Sequence, residues 1–193
     1  VGLYMNQKKL SHAGDITPIY CSLRSNQMSI IYDHLIKLNI SPKAIFIARD
    51  PIDRIWSSAK MMAKRKPDTF KTPEDIFEFF KKHYRQNSVK MRTQYEKTLS
   101  NLKNSSFNEH LLVLFYEDLF EKKTWNNVLD FIKLETNFKG DFGKVNASPD
   151  IRMGLSEEVR REAIKAYSDT YMYMKKEYPQ VENLWESSFK LLS

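Results

Sequence analysis

An uninterrupted apolar run that stops at Arg49-Asp50-Pro51 constrains the fold of this chain more than any other feature. The stretch is KAIFIARDPIDRIWSS, residues 43–58. Its first part, KAIFIA, lacks polar alternation and predicts a strand covered on both faces, as in a parallel sheet. Asp50 is a favourable helix N-cap, and Pro51 suits the first helical position. The stretch therefore predicts a strand, a tight turn and a helix, with Arg49 at the carboxyl end of the strand.

The same turn has the chemistry of an anion site. In open α/β sheets, ligands bind at the carboxyl ends of the strands, and a helix N-terminus attracts anions. The guanidinium of Arg49 matches a phosphate bidentately, and the hydroxyl of Ser57 on the following helix is a further donor. This pair predicts a site for a phosphate monoester. The alternative is that Arg49 forms an ion pair with Asp50 or Asp53 and that Ser57 is merely solvated.

The rest of the chain is mostly helical in pattern, with a second strand of the buried type at Leu111–Tyr116. Helical spacing of apolar residues is found in the following segments: 25–38, 52–63, 74–84, 89–102, 125–132 and 156 onward. Two short strands among long helices predict an α/β fold, with a small central parallel sheet and helices on both faces. With 41% hydrophobic residues, we expect one domain, residues 1–193.

Composition limits the classes of function. The net charge of +7 fits a phosphorylated or polyanionic ligand, or simply a soluble basic surface. Cys21 is the single cysteine, which excludes an internal disulfide and a thiolate metal cage, and the four histidines are scattered. We therefore expect no metal. The longest apolar runs are too short for a membrane span and no secretion signal is present, so a cytoplasmic protein is predicted.

Several motifs occur in an order that resembles one enzyme family, the sulfotransferases that use 3′-phosphoadenosine 5′-phosphosulfate (PAPS). The turn RDPIDRIWS is similar to the family's 3′-phosphate-binding strand-turn-helix, and GDITPIY at residues 14–20 is similar to an upstream segment of its carbohydrate and bacterial branches. The further matches are RTQYE at 92–96, FYEDL at 115–119, VNAS at 145–148 and Trp185. The resemblance covers nearly the whole chain.

The resemblance implies the P-loop-NTPase-like sulfotransferase fold and transfer of a sulfuryl group from PAPS to a hydroxyl or amine of a carbohydrate or small molecule. The product of the donor would be adenosine 3′,5′-bisphosphate, and no metal, specific nucleic acid or membrane span is implied. The residues to which the resemblance assigns roles are Arg49 and Ser57 on the 3′-phosphate, Lys144, Asn146 and Ser148 in a loop over the nucleotide, and Tyr20 and Asp15 near the acceptor. Asp15 is the candidate catalytic residue in this chain.

One part of the family pattern is missing from the sequence. The glycine-rich, lysine-containing loop that wraps the 5′-phosphosulfate is not found, and GDFGK at residues 140–144 lacks the length and the Ser/Thr of such a loop. We expect the first strand, this donor loop and the main catalytic base to lie on a segment before Val1.

Two alternative functions remain open from the sequence. One is a non-catalytic nucleotide-binding or scaffold module that retains the 3′-phosphate half of the site. The other is a basic domain that binds nucleic acid, for which the basic residues between Lys60 and Arg92 would be responsible. Aromatic residues are seldom interleaved with these basic residues, so solvated helix faces explain them more simply.

Overall fold

The computed structural model describes residues 11–136 and 154–192. It is a mixed α/β structure in which strands β1 (Ala44–Ala48) and β2 (Leu111–Phe115) form a small parallel sheet, which confirms the predicted fold class. The α-helices of the described residues are α1 (Ser25–Lys37), α2 (Pro51–Arg65), α3 (Pro73–His83), α4 (Asn87–Thr93), α5 (Tyr95–Lys103), α6 (Lys122–Ile132), α7 (Glu157–Ala166), α8 (Ser168–Glu177), α9 (Val181–Leu184) and α10 (Glu186–Leu192). Short 3-10 helices span Pro18–Ser22, Asn108–His110 and Tyr116–Asp118.

Residue contacts divide the chain into two compact units. The first is Val1–Phe46 with Lys97–Val113, and the second is Ile47–Glu96 with Leu114–Ser193. In the first unit, the Tyr32 ring of α1 packs edge-to-face on Phe107, with 5.1 Å between ring centroids. The hydroxyl of Ser29 also accepts a hydrogen bond from the backbone of Ser106. Helix α1 is thereby held to the segment that leads into β2.

The second unit contains the larger core, which is built around helix α2. The apolar stripe predicted for this helix is buried at Ile52, Ile55, Trp56, Ala59 and Ala63. The other large, fully buried side chains of this unit come from α3, from the C-terminal helices and from the residues that cap them: Phe80, Tyr84, Ile164, Tyr171, Met174, Val181 and Trp185. The turn before α2 is therefore mounted on a packed scaffold.

One face of strand β1 differs from the prediction. The apolar run was expected to be covered on both faces, yet Ile45 is 42% exposed and Ile47 is 49% exposed. Side chains alternate along a strand, so these two isoleucines share one face. The sheet has two strands in the described part of the chain, and this face of β1 is only partly covered there. The prediction of a strand buried on both faces is therefore wrong within the described residues.

The segment 89–102, predicted as one helix, forms two. Gln94 ends α4 with φ −75° and ψ 74°, outside the helical region. The hydroxyl of Thr93 donates to the carbonyl of Val89 at 2.8 Å and accepts from Arg54 Nη1 at 2.9 Å. Such side-chain bonds compete with regular helix geometry. The break redirects the chain so that Tyr95 begins α5 and reaches the strand-helix turn.

Candidate functional site

Arg49 lies at the carboxyl end of β1, as predicted, and is half-buried. Its guanidinium stacks on the ring of Tyr116, with Cζ 4.3 Å from the ring centroid. Its backbone carbonyl accepts a hydrogen bond of 2.9 Å from the hydroxyl of Tyr95. Tyr116 and Tyr95 both lie outside β1, so Arg49 is held by contacts beyond the strand that it follows. The arginine is therefore oriented before any ligand arrives, which lowers the entropy cost of binding.

Asp50 caps helix α2. Its Oδ1 accepts from the backbone N–H groups of Ile52 at 2.9 Å and Asp53 at 3.1 Å, and Pro51 occupies the first helical position. The first-turn N–H groups are thus already used by this carboxylate, so recognition of an anion here depends on side chains more than on the free helix N-terminus that the sequence suggested. Burial raises the pKa of Asp50, and the neighbouring Asp53 carboxylate raises it further.

Residues from the C-terminal helices hold this carboxylate. The hydroxyl of Tyr171 donates to Asp50 Oδ1 at 3.0 Å. The guanidinium of Arg160 places Nη1 2.8 Å from Asp53 Oδ1 and Nη2 3.9 Å from Asp50 Oδ1, and Nη2 also donates to the Ser188 hydroxyl at 2.9 Å. Arg160 therefore joins α7 to the first turn of α2.

These contacts exclude the simpler interpretation of Arg49. The expected alternative was an ion pair of Arg49 with Asp50 or Asp53, but Arg160 occupies both carboxylates. Across residues 11–136 and 154–192, no carboxylate forms an ion pair with Arg49. Within that part of the protein, no carboxylate neutralises the Arg49 guanidinium, which is therefore available to bind an external anion.

The two adjacent serines of α2 differ in their surroundings. The hydroxyl of Ser58 lies 3.3 Å from Nε2 of His83, while Nδ1 of His83 lies 3.2 Å from Oε1 of Gln86. Ser57 is half-buried and has no hydrogen-bond partner among the described residues. Ser57 is the serine that the family resemblance assigns to the phosphate, and its hydroxyl is the one of the two that the rest of the described structure leaves available.

The buried imidazole of His83 should make stability depend on pH. Burial, with a smaller contribution from Arg54, lowers the pKa of His83 below its ordinary 6.5. Near pH 6.5 the unfolded chain takes up a proton that the folded chain does not, so the free energy of unfolding should fall as the pH falls through this region. Urea unfolding is measured at pH 7.5 and at pH 5.5. Between these two values, the free energy of unfolding should fall less for His83→Gln than for the wild type. Equal losses in the two proteins would contradict this assignment.

The N-terminal candidate residues form an exposed cluster within the first unit. Tyr20 donates its hydroxyl to Asp15 Oδ2, and Thr17 donates to Asp15 Oδ1 at 2.8 Å. The hydrogen bond from Tyr20, followed by that from Thr17, lowers the pKa of Asp15, which makes its carboxylate a weaker base. In this arrangement Asp15 orients Tyr20. The role of Asp15 in catalysis and that of Tyr20 at the acceptor stay predictions.

Three predicted cofactor residues, Lys144, Asn146 and Ser148, lie outside the described residues. The described ranges contain no group of three or more His, Cys, Asp or Glu side chains arranged to hold a metal ion. Nor does any helix in those ranges combine the length and the apolar character needed to cross a bilayer.

Sequence reasoning missed Arg160 and Tyr171 as parts of this site. Arg160 is one of two consecutive arginines on a predicted helix, and Tyr171 follows in the same C-terminal helical region without belonging to a motif. Each contacts a residue more than 100 positions away, as the separations of 107 for Arg160–Asp53 and 121 for Tyr171–Asp50 show. Local pattern carries no signal for such distant pairs, so only the fold reveals them.

The comparison with known families gives one match. The family model described as "Sulfotransferase domain" matches residues 26–189, which include Arg49, Ser57 and Arg160 but not Asp15 or Tyr20. Searches of curated proteins and of solved structures gave no match.

Proposed function

Because this chain belongs to the sulfotransferase domain family, whose activity is sulfuryl transfer, we propose that it takes the group from PAPS and passes it to a hydroxyl or amine of a carbohydrate or small molecule. The match runs through both compact units, which supports a single sulfotransferase domain over residues 1–193. When bound, PAPS supplies the sulfuryl group and a nucleotide leaving group, adenosine 3′,5′-bisphosphate.

The observation that carries the proposal is the environment of the Arg49 guanidinium. Its guanidinium is half-buried, stacked on Tyr116 and without an ion-pair partner in the described residues, although Asp50 and Asp53 are close in sequence. A half-buried guanidinium without a carboxylate partner favours binding of an anion, and a phosphate monoester provides one with matching bidentate geometry. The residues present therefore fit the 3′-phosphate of the donor.

Each residue has a distinct task in this proposal. Arg49 binds two oxygens of the 3′-phosphate, and the hydroxyl of Ser57, two turns into α2, donates to the same group. Tyr95 and Asp50 fix the backbone from which Arg49 extends. Positioning and electrostatic stabilisation supply most of the rate in group transfers of this kind, so a rigid mounting for the nucleotide favours catalysis.

The remaining residues are proposed on the family resemblance. Lys144, Asn146 and Ser148 would close over the nucleotide, and Tyr20 would contact the acceptor. For the acceptor proton, Asp15 would act as base only after losing the hydrogen bonds that it now accepts from Tyr20 and Thr17.

The test is isothermal titration calorimetry of the wild-type chain with adenosine 3′,5′-bisphosphate and with adenosine 5′-monophosphate. A bidentate charged contact contributes about 1.5–3 kcal/mol, so the bisphosphate should bind at least roughly tenfold more tightly. Equal affinity for both nucleotides would contradict the proposal. Binding that is indifferent to the 3′-phosphate and falls steeply with salt would favour the nucleic-acid alternative.

Turnover separates an enzyme from a non-catalytic nucleotide-binding module. The full-length protein is incubated with PAPS and a panel of hydroxyl and amine acceptors, and formation of adenosine 3′,5′-bisphosphate is measured. Release of the bisphosphate that depends on an acceptor is the expected result. Selective nucleotide binding without such release from any acceptor would favour the scaffold alternative.

A further inference from the structure

Two acidic residues stand at the place where the proposed function puts an anionic phosphate. Asp50 directly follows Arg49, is 2% exposed and occupies the first-turn N–H groups of α2. Asp53 lies one turn further along the same helix. Left uncompensated, two carboxylates at this helix end would repel a phosphate bound by Arg49. Sequence and structure therefore raise the question of what cancels their charge.

Arg160 is the cation that contacts both carboxylates. Its guanidinium lies 2.8 Å from Asp53 Oδ1 and 3.9 Å from Asp50 Oδ1, and its side chain is only 18% exposed. The contact with Asp50, whose side chain is 3% exposed, is screened less by solvent and salt than the contact with Asp53, whose side chain is 41% exposed. The hydroxyl of Ser188 accepts a hydrogen bond of 2.9 Å from Nη2 of Arg160. The cation is thus fixed by α10 as well as by the two carboxylates.

Asp50 depends on outside compensation more than an ordinary N-cap does. Its Oδ1 accepts from two backbone N–H groups and from the hydroxyl of Tyr171. Its other oxygen, Oδ2, is buried without a hydrogen-bond partner in the described part of the chain. Hydrogen bonds from neutral donors stabilise a carboxylate but leave its charge in place. Within the described ion pairs, a full positive charge reaches Asp50 only from Arg160.

We propose that Arg160 is a positioning residue for the nucleotide: by neutralising Asp50 and Asp53 it allows Arg49 and the start of α2 to accept the donor's 3′-phosphate. The inference rests on the proposed function and deepens it. Arg160 itself acts through the two carboxylates. Its loss exposes the phosphate to both negative charges, and the loss of one carboxylate relieves part of that repulsion.

The test is a set of variants whose affinity for adenosine 3′,5′-bisphosphate is measured by calorimetry at fixed salt. Arg160→Met removes the charge and keeps an apolar side chain, and should weaken binding about five- to twentyfold. Arg160→Lys keeps the charge and should stay within about threefold of the wild type. The neighbouring Arg161, which pairs with Glu157 one turn earlier on α7, gives the matched control, since Arg161→Met makes the same change of net charge and should leave affinity unaltered.

The decisive variant combines Arg160→Met with Asp53→Asn. If Arg160 acts by neutralising charge, removal of one carboxylate should recover at least about half of the lost binding free energy. A purely structural role for Arg160 predicts no recovery, because the double variant also lacks the ion pair. Thermal melting and circular dichroism confirm that each variant is folded under the conditions of titration.

Three outcomes would overturn the inference: wild-type affinity in folded Arg160→Met, loss of affinity without recovery in the double variant, or the same loss in Arg161→Met. If Arg160→Met fails to fold, Asp53→Asn alone decides, because the inference requires affinity at least equal to that of the wild type, and weaker binding contradicts it. A wild-type chain that does not distinguish the bisphosphate from adenosine 5′-monophosphate would instead count against the proposed function. The two failures are therefore distinguishable.

Discussion

Arg49→Ala should reduce affinity for adenosine 3′,5′-bisphosphate more than tenfold and leave affinity for adenosine 5′-monophosphate nearly unchanged. The variant would lose the two charged hydrogen bonds that we propose to the 3′-phosphate, a contact that contributes about 1.5–3 kcal/mol. The monophosphate has no 3′-phosphate, so it reports any general damage to the nucleotide site. Calorimetric titration of both nucleotides into the variant and the wild type measures the difference directly.

The control for this variant is Arg65→Ala. Arg65 is an exposed residue in the last turn of the same helix, α2, so its replacement makes the same change of net charge far along the helix from the turn. We expect wild-type affinity in this control. The affinity of Arg49→Lys for the bisphosphate should lie between those of Arg49→Ala and Arg65→Ala, because lysine keeps the charge but not the planar fork. An equal loss of affinity for both nucleotides in Arg49→Ala would show that the arginine holds the site together and does not select the phosphate.

The strand-turn-helix was predictable because its signals are local. Asp50 caps the helix, Pro51 begins it, and the stripe from Ile52 to Ala63 faces the core, all of which follow from residues within about four turns of one another. The helix expected from residue 156 onward likewise begins at a local signal, because the hydroxyl of Ser156 accepts from the backbone of Val159. Capping and periodicity are properties of short segments, which a single sequence contains in full.

The errors arise where distant contacts override the local pattern. Apolar periodicity alone gave one helix over 89–102, whereas Thr93 and Tyr95 make bonds to Arg54 and Arg49 that favour a break at Gln94. The apolar run of β1 indicated burial on both faces, but burial depends on which elements cover a strand. Neither question can be answered from the residues of the segment itself.

The candidate site shows the same division. Arg49 and Ser57 could be predicted as site residues because their spacing at a strand end and on the following helix is a local feature and resembles a family motif. Arg160 and Tyr171, which hold Asp50 and Asp53, come from helices that follow residue 156 and carry no motif of their own. A sequence thus names the groups that face a ligand more readily than the groups behind them, since the latter are chosen by tertiary packing.

Trp185→Ala should produce the largest loss of stability among the changes considered, because this indole joins the sheet to the helices that support the site. Trp185 is 2% exposed and packs edge-to-face on Phe115 of β2 and on Tyr171 of α8, with centroid separations of 6.2 and 6.0 Å. Truncation of a buried aromatic residue to alanine costs about 3–5 kcal/mol, a large part of the 5–15 kcal/mol typical of a folded domain. Urea unfolding monitored by circular dichroism measures this loss in the free energy of unfolding.

Two further variants show whether the loss comes from the cavity at this position. Trp185→Phe keeps a ring between Phe115 and Tyr171 and removes an indole N–H that is buried without a partner in the described residues, so it should cost clearly less than alanine. Trp125→Ala removes an indole that is only half-buried on α6 and should also cost less. A loss in Trp185→Ala no larger than in Trp125→Ala would contradict the central position given to Trp185. Since Tyr171 also donates to Asp50, the packing of this indole links the stability of the C-terminal helices to the geometry of the turn that carries the proposed phosphate site.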